Sequence, residues 1–263
     1  MTMILATILV LAVVGLLIGL MLVSAGEKFA VETDPRAVAV RECLPGNNCG
    51  GCGYAGCDAL AEAIAKGEAP VNGCPVGGAA VAEKVSAVMG AKADAAEKRT
   101  AFVKCAGTCD AAKQNCNYIG IESCEAAAQM PGKGIKACQH GCLGYGECVK
   151  ACKFDAIHLF NGVARVDRSK CVACGQCVSA CPQRLIELIP DSSVWAVRCS
   201  SREKGAVVKQ QCAAGCIGCM LCVKVCEHGA IRVENNLAKI DYALCVGCGK
   251  CVEKCPAKVI QKR

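Results

Sequence analysis

The chain has 263 residues, with 30 Lys or Arg against 23 Asp or Glu and a formal net charge of +7. It holds 27 cysteines but only four Phe, four Tyr and one Trp, which argues against a conventional large hydrophobic core. The odd count and close spacing of the cysteines argue against a disulfide scaffold. Because basic and acidic residues are interleaved without an aromatic platform, the sequence predicts no nucleic-acid binding.

Residues 3–23 form a run without any charged residue. As a helix rising about 1.5 Å per residue, this run would span the ~30 Å hydrocarbon core of a bilayer. A cleaved signal peptide is the alternative, but no Lys or Arg precedes the run, which is also longer than the apolar part of such a peptide. We therefore predict a transmembrane anchor over residues 1–26. Since the basic residues begin at Lys28, the remainder is predicted on the cytoplasmic side of the cell membrane, where metal ligation is favoured over disulfides.

A cysteine motif follows the predicted anchor, within residues 27–78. Its spacing, Cys-x2-Cys-x4-Cys-x16-Cys, suits one [4Fe-4S] cluster held by Cys49, Cys52, Cys57 and Cys74. Glycines between these cysteines let the backbone wrap closely and direct amide groups at sulfide. Asp58 is expected to cap the helix that follows. A structural zinc site is compatible with the same spacing and stays an alternative.

Residues 79–137 are predicted to be a connector. Val81, Val85, Val88 and Met89 lie at helical spacing and predict a helix over residues 79–98. A looser group of cysteines follows, which matches no cluster motif: Cys105, Cys109, Cys116 and Cys124. Two interpretations are open. These cysteines form a possible sixth cluster, or they are reduced thiols or remote ligands that assist the irregular site at Cys138, which is described below.

The rest of the chain contains one pattern twice, at an offset of 74 residues. Eight cysteines of the first copy recur in the second: Cys138, Cys142, Cys148, Cys152, Cys171, Cys174, Cys177 and Cys181 correspond to Cys212, Cys216, Cys222, Cys226, Cys245, Cys248, Cys251 and Cys255. Alternating apolar residues flank Asn161-Gly162 in one copy and Asn235-Asn236 in the other, which predicts a β-hairpin in each. Val103-Lys-Cys105 also resembles Val197-Arg-Cys199, so part of the lead-in is predicted to be duplicated.

Within each copy, the pattern Cys-x2-Cys-x2-Cys-x3-Cys has a specific chemical meaning. Three thiolates on a tight loop hold three irons of one cubane, and the fourth points to a neighbouring cluster. A zinc ribbon needs two ligands from each of two knuckles and gives no reason for the third and fourth cysteine. We therefore predict two modules, over residues 138–190 and, with its lead-in, 191–263.

These modules resemble bacterial two-cluster ferredoxins, whose ligands cross between motifs. The resemblance implies three complete sets: Cys152, Cys171, Cys174 and Cys177; Cys216, Cys219, Cys222 and Cys255; and Cys226, Cys245, Cys248 and Cys251. The remaining set departs from the pattern, because Tyr145 stands where the second copy has Cys219. Cys138 is the nearest replacement, which gives a cluster on Cys138, Cys142, Cys148 and Cys181. A three-iron cluster with Cys138 unused is the alternative.

The order of these parts resembles the B subunits of Rnf complexes, membrane-bound ferredoxin:NAD oxidoreductases that couple electron flow to Na+ or H+ transport. The resemblance implies an electron-transfer subunit that accepts electrons from reduced soluble ferredoxin and passes them to partner subunits, which reduce NAD and move the ion. The sequence has no recognisable nicotinamide, ATP or flavin motif and no complete catalytic site. A membrane-anchored polyferredoxin subunit of another oxidoreductase and a zinc-binding structural protein are the alternatives.

The expected fold is thus α+β: a single N-terminal transmembrane helix, a small iron-sulfur domain and two tandem two-cluster bacterial-ferredoxin-like modules. Five [4Fe-4S] clusters account for twenty cysteines. Seven are left unassigned: Cys43, Cys105, Cys109, Cys116, Cys124, Cys199 and Cys212.

Overall fold

The computed structural model of the chain describes residues 2–28, 34–92 and 97–263. Helix α1 (Thr2–Lys28) contains the uncharged run. Where its side chains are described, at residue 9 and over residues 12–25, large apolar ones such as Leu17 and Leu22 are exposed. Counted over the described residues, no helix is long and apolar enough to cross a membrane. The anchor over residues 1–26 stays a prediction, and it lies partly outside the described residues.

Three helices surround the first cysteine motif: α2 (Pro35–Cys43), α3 (Cys57–Ala65) and α4 (Gly78–Met89). The apolar face of α3 presents Leu60 and Ile64, which are buried against Val40 of α2 and Val85 of α4. Helix α4 is shorter than the helix predicted over residues 79–98. It ends at Met89 because Gly90 adopts φ +65°, a left-handed helix C-cap. Residues 93–96 of the predicted helix lie outside the described residues.

The start of α3 differs from the expectation. Gly56 is the residue before the helix, and the backbone N–H of Cys57 donates a 2.8 Å hydrogen bond to Oδ1 of Asn48. Asp58 therefore does not cap the helix. It lies in the first turn, where its carboxylate forms a 2.6 Å ion pair with Nε of Arg41 in α2.

The connector and the two modules supply the remaining elements. The first half contains β1 (Arg99–Val103), α5 (Cys124–Ala128), α6 (Glu147–Lys150), β2 (Ile157–Phe160), β3 (Val163–Val166), α7 (Gln176–Ala180) and β4 (Ile186–Pro190). The second half contains β5 (Trp195–Val197), α8 (Gly205–Gln211), α9 (Leu221–Lys224), β6 (Ile231–Glu234), β7 (Leu237–Ile240), α10 (Lys250–Glu253) and β8 (Ile260–Lys262).

Both predicted hairpins are confirmed. Strands β2 and β3 pair antiparallel, as do β6 and β7. The turn residues adopt positive φ at both central positions: 47° and 72° at Asn161 and Gly162, and 49° and 62° at Asn235 and Asn236. This is the turn geometry that matches the right-handed twist of the flanking strands.

A second two-stranded sheet closes each module. Strand β1 pairs antiparallel with β4, and β5 pairs with β8 in the same way. The strands β1 and β5 belong to the lead-in segments, and each leads to a cysteine two residues beyond its end, Cys105 and Cys199. The repeat therefore includes the lead-in strands, as the sequence predicted. In each module the few buried aliphatic side chains, such as Ile157 and Ile231, pack directly against cysteines.

The backbone of the hairpin turn lies close to the backbone of the cysteine loop. A Cβ on Gly218 would lie 2.9 Å from the carbonyl oxygen of Asn236, in the hairpin turn. Gly229 has a similar φ, +62° against +65°, but a Cβ there would meet nothing within 4 Å. Gly218→Ala should therefore cost about 1–3 kcal/mol more than Gly229→Ala, because both require left-handed backbone but only the former is overpacked.

We would measure the rate at which the visible absorbance of the clusters is lost in a fixed concentration of guanidinium. A rate is used because the unfolding of a metalloprotein is not a simple two-state equilibrium. Equal rates for Gly218→Ala and Gly229→Ala would contradict this packing.

Candidate iron-sulfur sites

Three of the predicted ligand sets each line one cavity. Cavities of about 310, 340 and 330 Å³ are lined, respectively, by Cys152, Cys171, Cys174 and Cys177; by Cys216, Cys219, Cys222 and Cys255; and by Cys226, Cys245, Cys248 and Cys251. In each set one sulfur comes from the partner motif of the same module. Within the described residues, no three His, Cys, Asp or Glu side chains form a group that could hold a single metal ion.

Backbone N–H groups point at the cysteine sulfurs. Ala101 donates to Sγ of Cys171, and Leu185 donates to Sγ of Cys181, both at 3.4 Å. Hydrogen bonds of this kind orient thiolate ligands and tune a bound iron-sulfur cluster. An all-thiol donor set that lines a cavity and receives amide hydrogen bonds fits a [4Fe-4S] group.

Burial makes free thiolates unfavourable at several of these positions. Burial, followed by the charges of neighbouring cysteines, raises the pKa of Cys148 and of Cys177 to about 12. Burial and neighbouring cysteines also raise the pKa of Cys222 to about 11. Without metal these thiols keep their protons at neutral pH, so iron binding there must release protons.

The first cysteine motif lies against the first module. Cys52, Cys57 and Cys74 pack in the core formed by helices α2 to α4. The side-chain amide of Gln176 donates a hydrogen bond to the carbonyl oxygen of Cys49. A Cβ on Gly51 would overlap the backbone of Cys174, approaching its Cα to 2.9 Å. The loop that carries Cys49 and Cys52 therefore contacts the loop that carries Cys174.

The irregular site differs from the expectation. The cavity lined by Cys142, Cys148 and Cys181, of about 380 Å³, is lined also by Cys124, whereas Cys138 lines a different cavity. Cys124 is buried at the start of α5, and its sulfur interacts with that of Cys148. A side-chain nitrogen of Gln183, which lines the same cavity, is buried and has no hydrogen-bond partner among the described residues. An orphaned donor at this position fits a bound cluster, whose sulfides accept hydrogen bonds.

The cavity that contains Cys138 lies between the two halves of the protein. It has a volume of about 400 Å³ and is lined by Cys105, Cys138, Cys199 and Cys212. The sequence predicted none of these together. Sequence reasoning chose Cys138 for the irregular site by proximity along the chain, whereas the structure brings Cys124 there from a segment that precedes the motif. The correspondence between the lead-in cysteines Cys105 and Cys199 is the feature of the sequence that could have indicated this shared cavity.

Comparison with protein families assigns iron-sulfur domains to three segments. Residues 44–76 match a putative Fe-S cluster domain, residues 164–187 a 4Fe-4S binding domain and residues 215–259 a 4Fe-4S dicluster domain. These segments coincide with the first cysteine motif and with parts of the two modules.

Relatives match nearly the whole chain. The B subunit of a Na(+)-translocating ferredoxin:NAD(+) oxidoreductase complex of Acetobacterium woodii is 46% identical over 252 residues, 95% of this chain and 75% of that protein. The B subunit of an ion-translocating oxidoreductase complex of Methanosarcina acetivorans is 43% identical over 98% of this chain and 97% of its own. The B subunit of the proton-translocating ferredoxin:NAD(+) oxidoreductase complex of Clostridium ljungdahlii is 43% identical over 96% and 90%, respectively. The chain therefore belongs to the family of B subunits of ion-translocating ferredoxin:NAD oxidoreductase, or Rnf, complexes, as an iron-sulfur electron-transfer subunit.

Proposed function

We propose that the chain binds five [4Fe-4S] clusters in its iron-sulfur domain and two modules and accepts electrons from reduced soluble ferredoxin. The observation that carries the proposal is the agreement between crossed ferredoxin ligation and the three cysteine-lined cavities. The clusters supply reversible one-electron transfer when bound. Four ligand sets are those predicted from the sequence. In the irregular set we assign Cys124, in place of Cys138, to join Cys142, Cys148 and Cys181.

The contacts between ligand loops support electron transfer through the chain. The Cys49 loop lies on the Cys174 loop, where the Gln176 side chain bridges them. Within the first module, Cys148 and Cys177 lie in the same buried cluster, although they belong to different ligand sets. The protein thereby keeps neighbouring sites adjacent.

We assign the membrane contact to the N-terminal helix. Residues 3–23 carry no charge, and the described side chains of α1 expose leucine, isoleucine and valine rather than polar groups. Because the basic residues follow this helix, the iron-sulfur sites would face the cytoplasm. NAD reduction and ion movement would belong to partner subunits. The relatives' names include both sodium and proton translocation, so the coupling ion depends on the complex.

Anaerobic purification distinguishes this function from a zinc-binding structural role. Protein purified anaerobically from its native membrane should be brown, absorb broadly near about 400 nm and bleach on reduction with dithionite. It should copurify with flavin- and NADH-binding subunits. Colourless, zinc-containing protein would exclude the proposal, while brown protein with different partner subunits would support a polyferredoxin of another oxidoreductase.

A second prediction concerns the contact between the iron-sulfur domain and the first module. Gly51→Ala should separate the two loops, because its Cβ would overlap the backbone of Cys174. We expect unchanged iron content but weaker magnetic interaction between two reduced clusters in the EPR spectrum. Gly53→Ala is the control, since a Cβ there meets nothing within 4 Å, although its φ of +86° is strained. Unchanged interaction in Gly51→Ala would show that these loops are not in contact.

A further inference from the structure

The cavity between the two halves is built by four cysteines that the five clusters leave unused. We infer that Cys105, Cys138, Cys199 and Cys212 bind a sixth [4Fe-4S] cluster, which joins the two ferredoxin-like modules. This inference rests on the proposed function, because it assumes that the chain is loaded with iron and sulfide. It differs from a cluster on Cys105, Cys109, Cys116 and Cys124, which the sequence left open. Cys109 and Cys116 are exposed, and Cys124 lines another cavity.

The four ligands arise as two equivalent pairs. Cys105 and Cys199 each follow a lead-in strand by two residues, and Cys138 and Cys212 are related by the 74-residue repeat. The backbone holds the latter two close together. Residues 111–115 run between both segments, with hydrogen bonds of 2.8 Å from Ala213 to Ala111 and 2.7 Å from Ala137 to Lys113. Each half thus contributes two sulfurs to one cavity.

Hydrogen bonds to the sulfurs follow the same symmetry. The N–H of Cys142 donates to Sγ of Cys105 at 3.4 Å, and the N–H of Cys216, its equivalent, donates to Sγ of Cys199 at 3.3 Å. Sγ of Cys105 also accepts from the N–H of Gly107 at 3.4 Å. These bonds satisfy thiolate sulfur with amide donors, as in the other candidate sites.

Glycines form part of the cavity wall. A Cβ on Gly107 would lie 3.3 Å from Sγ of Cys212 and 3.6 Å from Sγ of Cys105. A Cβ on Gly141 would lie 3.8 Å from Sγ of both Cys105 and Cys138. Sulfurs from both halves thus surround the same backbone. A side chain at Gly107 would be tight against the sulfur of Cys212, whereas a Cβ at Gly141 would make ordinary contacts with the sulfurs.

Two cationic side chains line the cavity, and a bound anion would balance their charge. Lys136, only 4% exposed, donates hydrogen bonds of 2.8, 3.0 and 2.7 Å to the carbonyl oxygens of Gly107, Cys142 and Gly162. Arg198, which also lines the cavity, donates to the carbonyl of Cys105 and to the neutral side chain of Gln261. Among the described residues, neither cation forms a salt bridge with a carboxylate.

A buried cation is unfavourable unless it is compensated. The Nε of Arg198 is buried and receives no hydrogen-bond acceptor from the part of the chain that the structure describes. The equivalent position in the first half is Lys104, which has a carboxylate partner in Glu187 at 3.0 Å. An oxidised cubane with four thiolates carries about −2 and would balance both Lys136 and Arg198.

A cluster in this cavity would connect the two modules. Cys142 and Cys216, whose amides donate into it, are themselves assigned to the nearest cluster of each module. The site is therefore adjacent to one cluster in each half.

Iron and sulfide analysis of anaerobically purified full-length protein should give about 24 irons per chain, against about 20 for five clusters. The decisive variants are Cys105→Ala, Cys199→Ala and the double variant. Because both residues hold the same cluster, each single variant should lose up to about four irons, or show one three-iron EPR signal, and the double variant should lose no more than about four.

Cys109→Ala and Cys116→Ala are the matched controls and should keep the full iron content. If the iron losses of Cys105→Ala and Cys199→Ala add in the double variant, two clusters are altered and the inference is overturned. Loss of iron from either control would also overturn it. If the variants do not fold, the wild-type count alone decides, since about 20 irons would exclude a sixth cluster while leaving the proposed function intact. Protein without iron would instead refute the proposed function.

Discussion

The hydrogen bond from a backbone amide to cysteine sulfur is the interaction on which the rest of the structure depends. The helices and strands of the modules have three to seven residues and are too short to be stable alone. Their amides instead donate to partly buried sulfur, as in the bonds from Ala101 to Cys171 and from Ala156 to Cys152. Since the ligand loops are organised around cysteines that bind iron as thiolates, cluster binding is expected to stabilise the folded state.

This constraint explains why local structure was predictable and the complete ligand sets were not. The hairpins follow from alternating apolar residues around Asn161-Gly162 and Asn235-Asn236, and the turn chemistry is entirely local. The crossed ligand sets rest on a known spacing that repeats without a gap, and three of these sets each line one cavity. Apolar periodicity over residues 79–98 does not indicate where helix α4 ends, because its end is set by Gly90 as a left-handed C-cap. Asp58 was assigned as a cap from residue type alone, whereas Gly56 precedes the helix.

The irregular site shows where proximity along the chain fails as a guide. Cys138 is only four residues from Cys142, yet the segment through Ala137 is held by Lys113 on the side that faces the second half. Cys124, which is more distant in sequence, reaches the cavity because α5 packs Ala127 against Leu143, beside the loop that carries Cys142. A ligand supplied by an irregular connector carries no spacing signal that sequence reasoning could use.

The duplication itself accounts for the cavity between the modules. One copy of the repeat provides a cysteine after its lead-in strand and another before its first motif, which is half of a four-ligand site. Two copies facing each other complete it, in the way that an isologous interface pairs equivalent surfaces. The first copy separates its two cysteines, Cys105 and Cys138, by a much longer segment than Cys199 and Cys212. That longer segment carries Cys124, which lines the cavity of the irregular site, where Tyr145 stands at the position of Cys219 in the second copy.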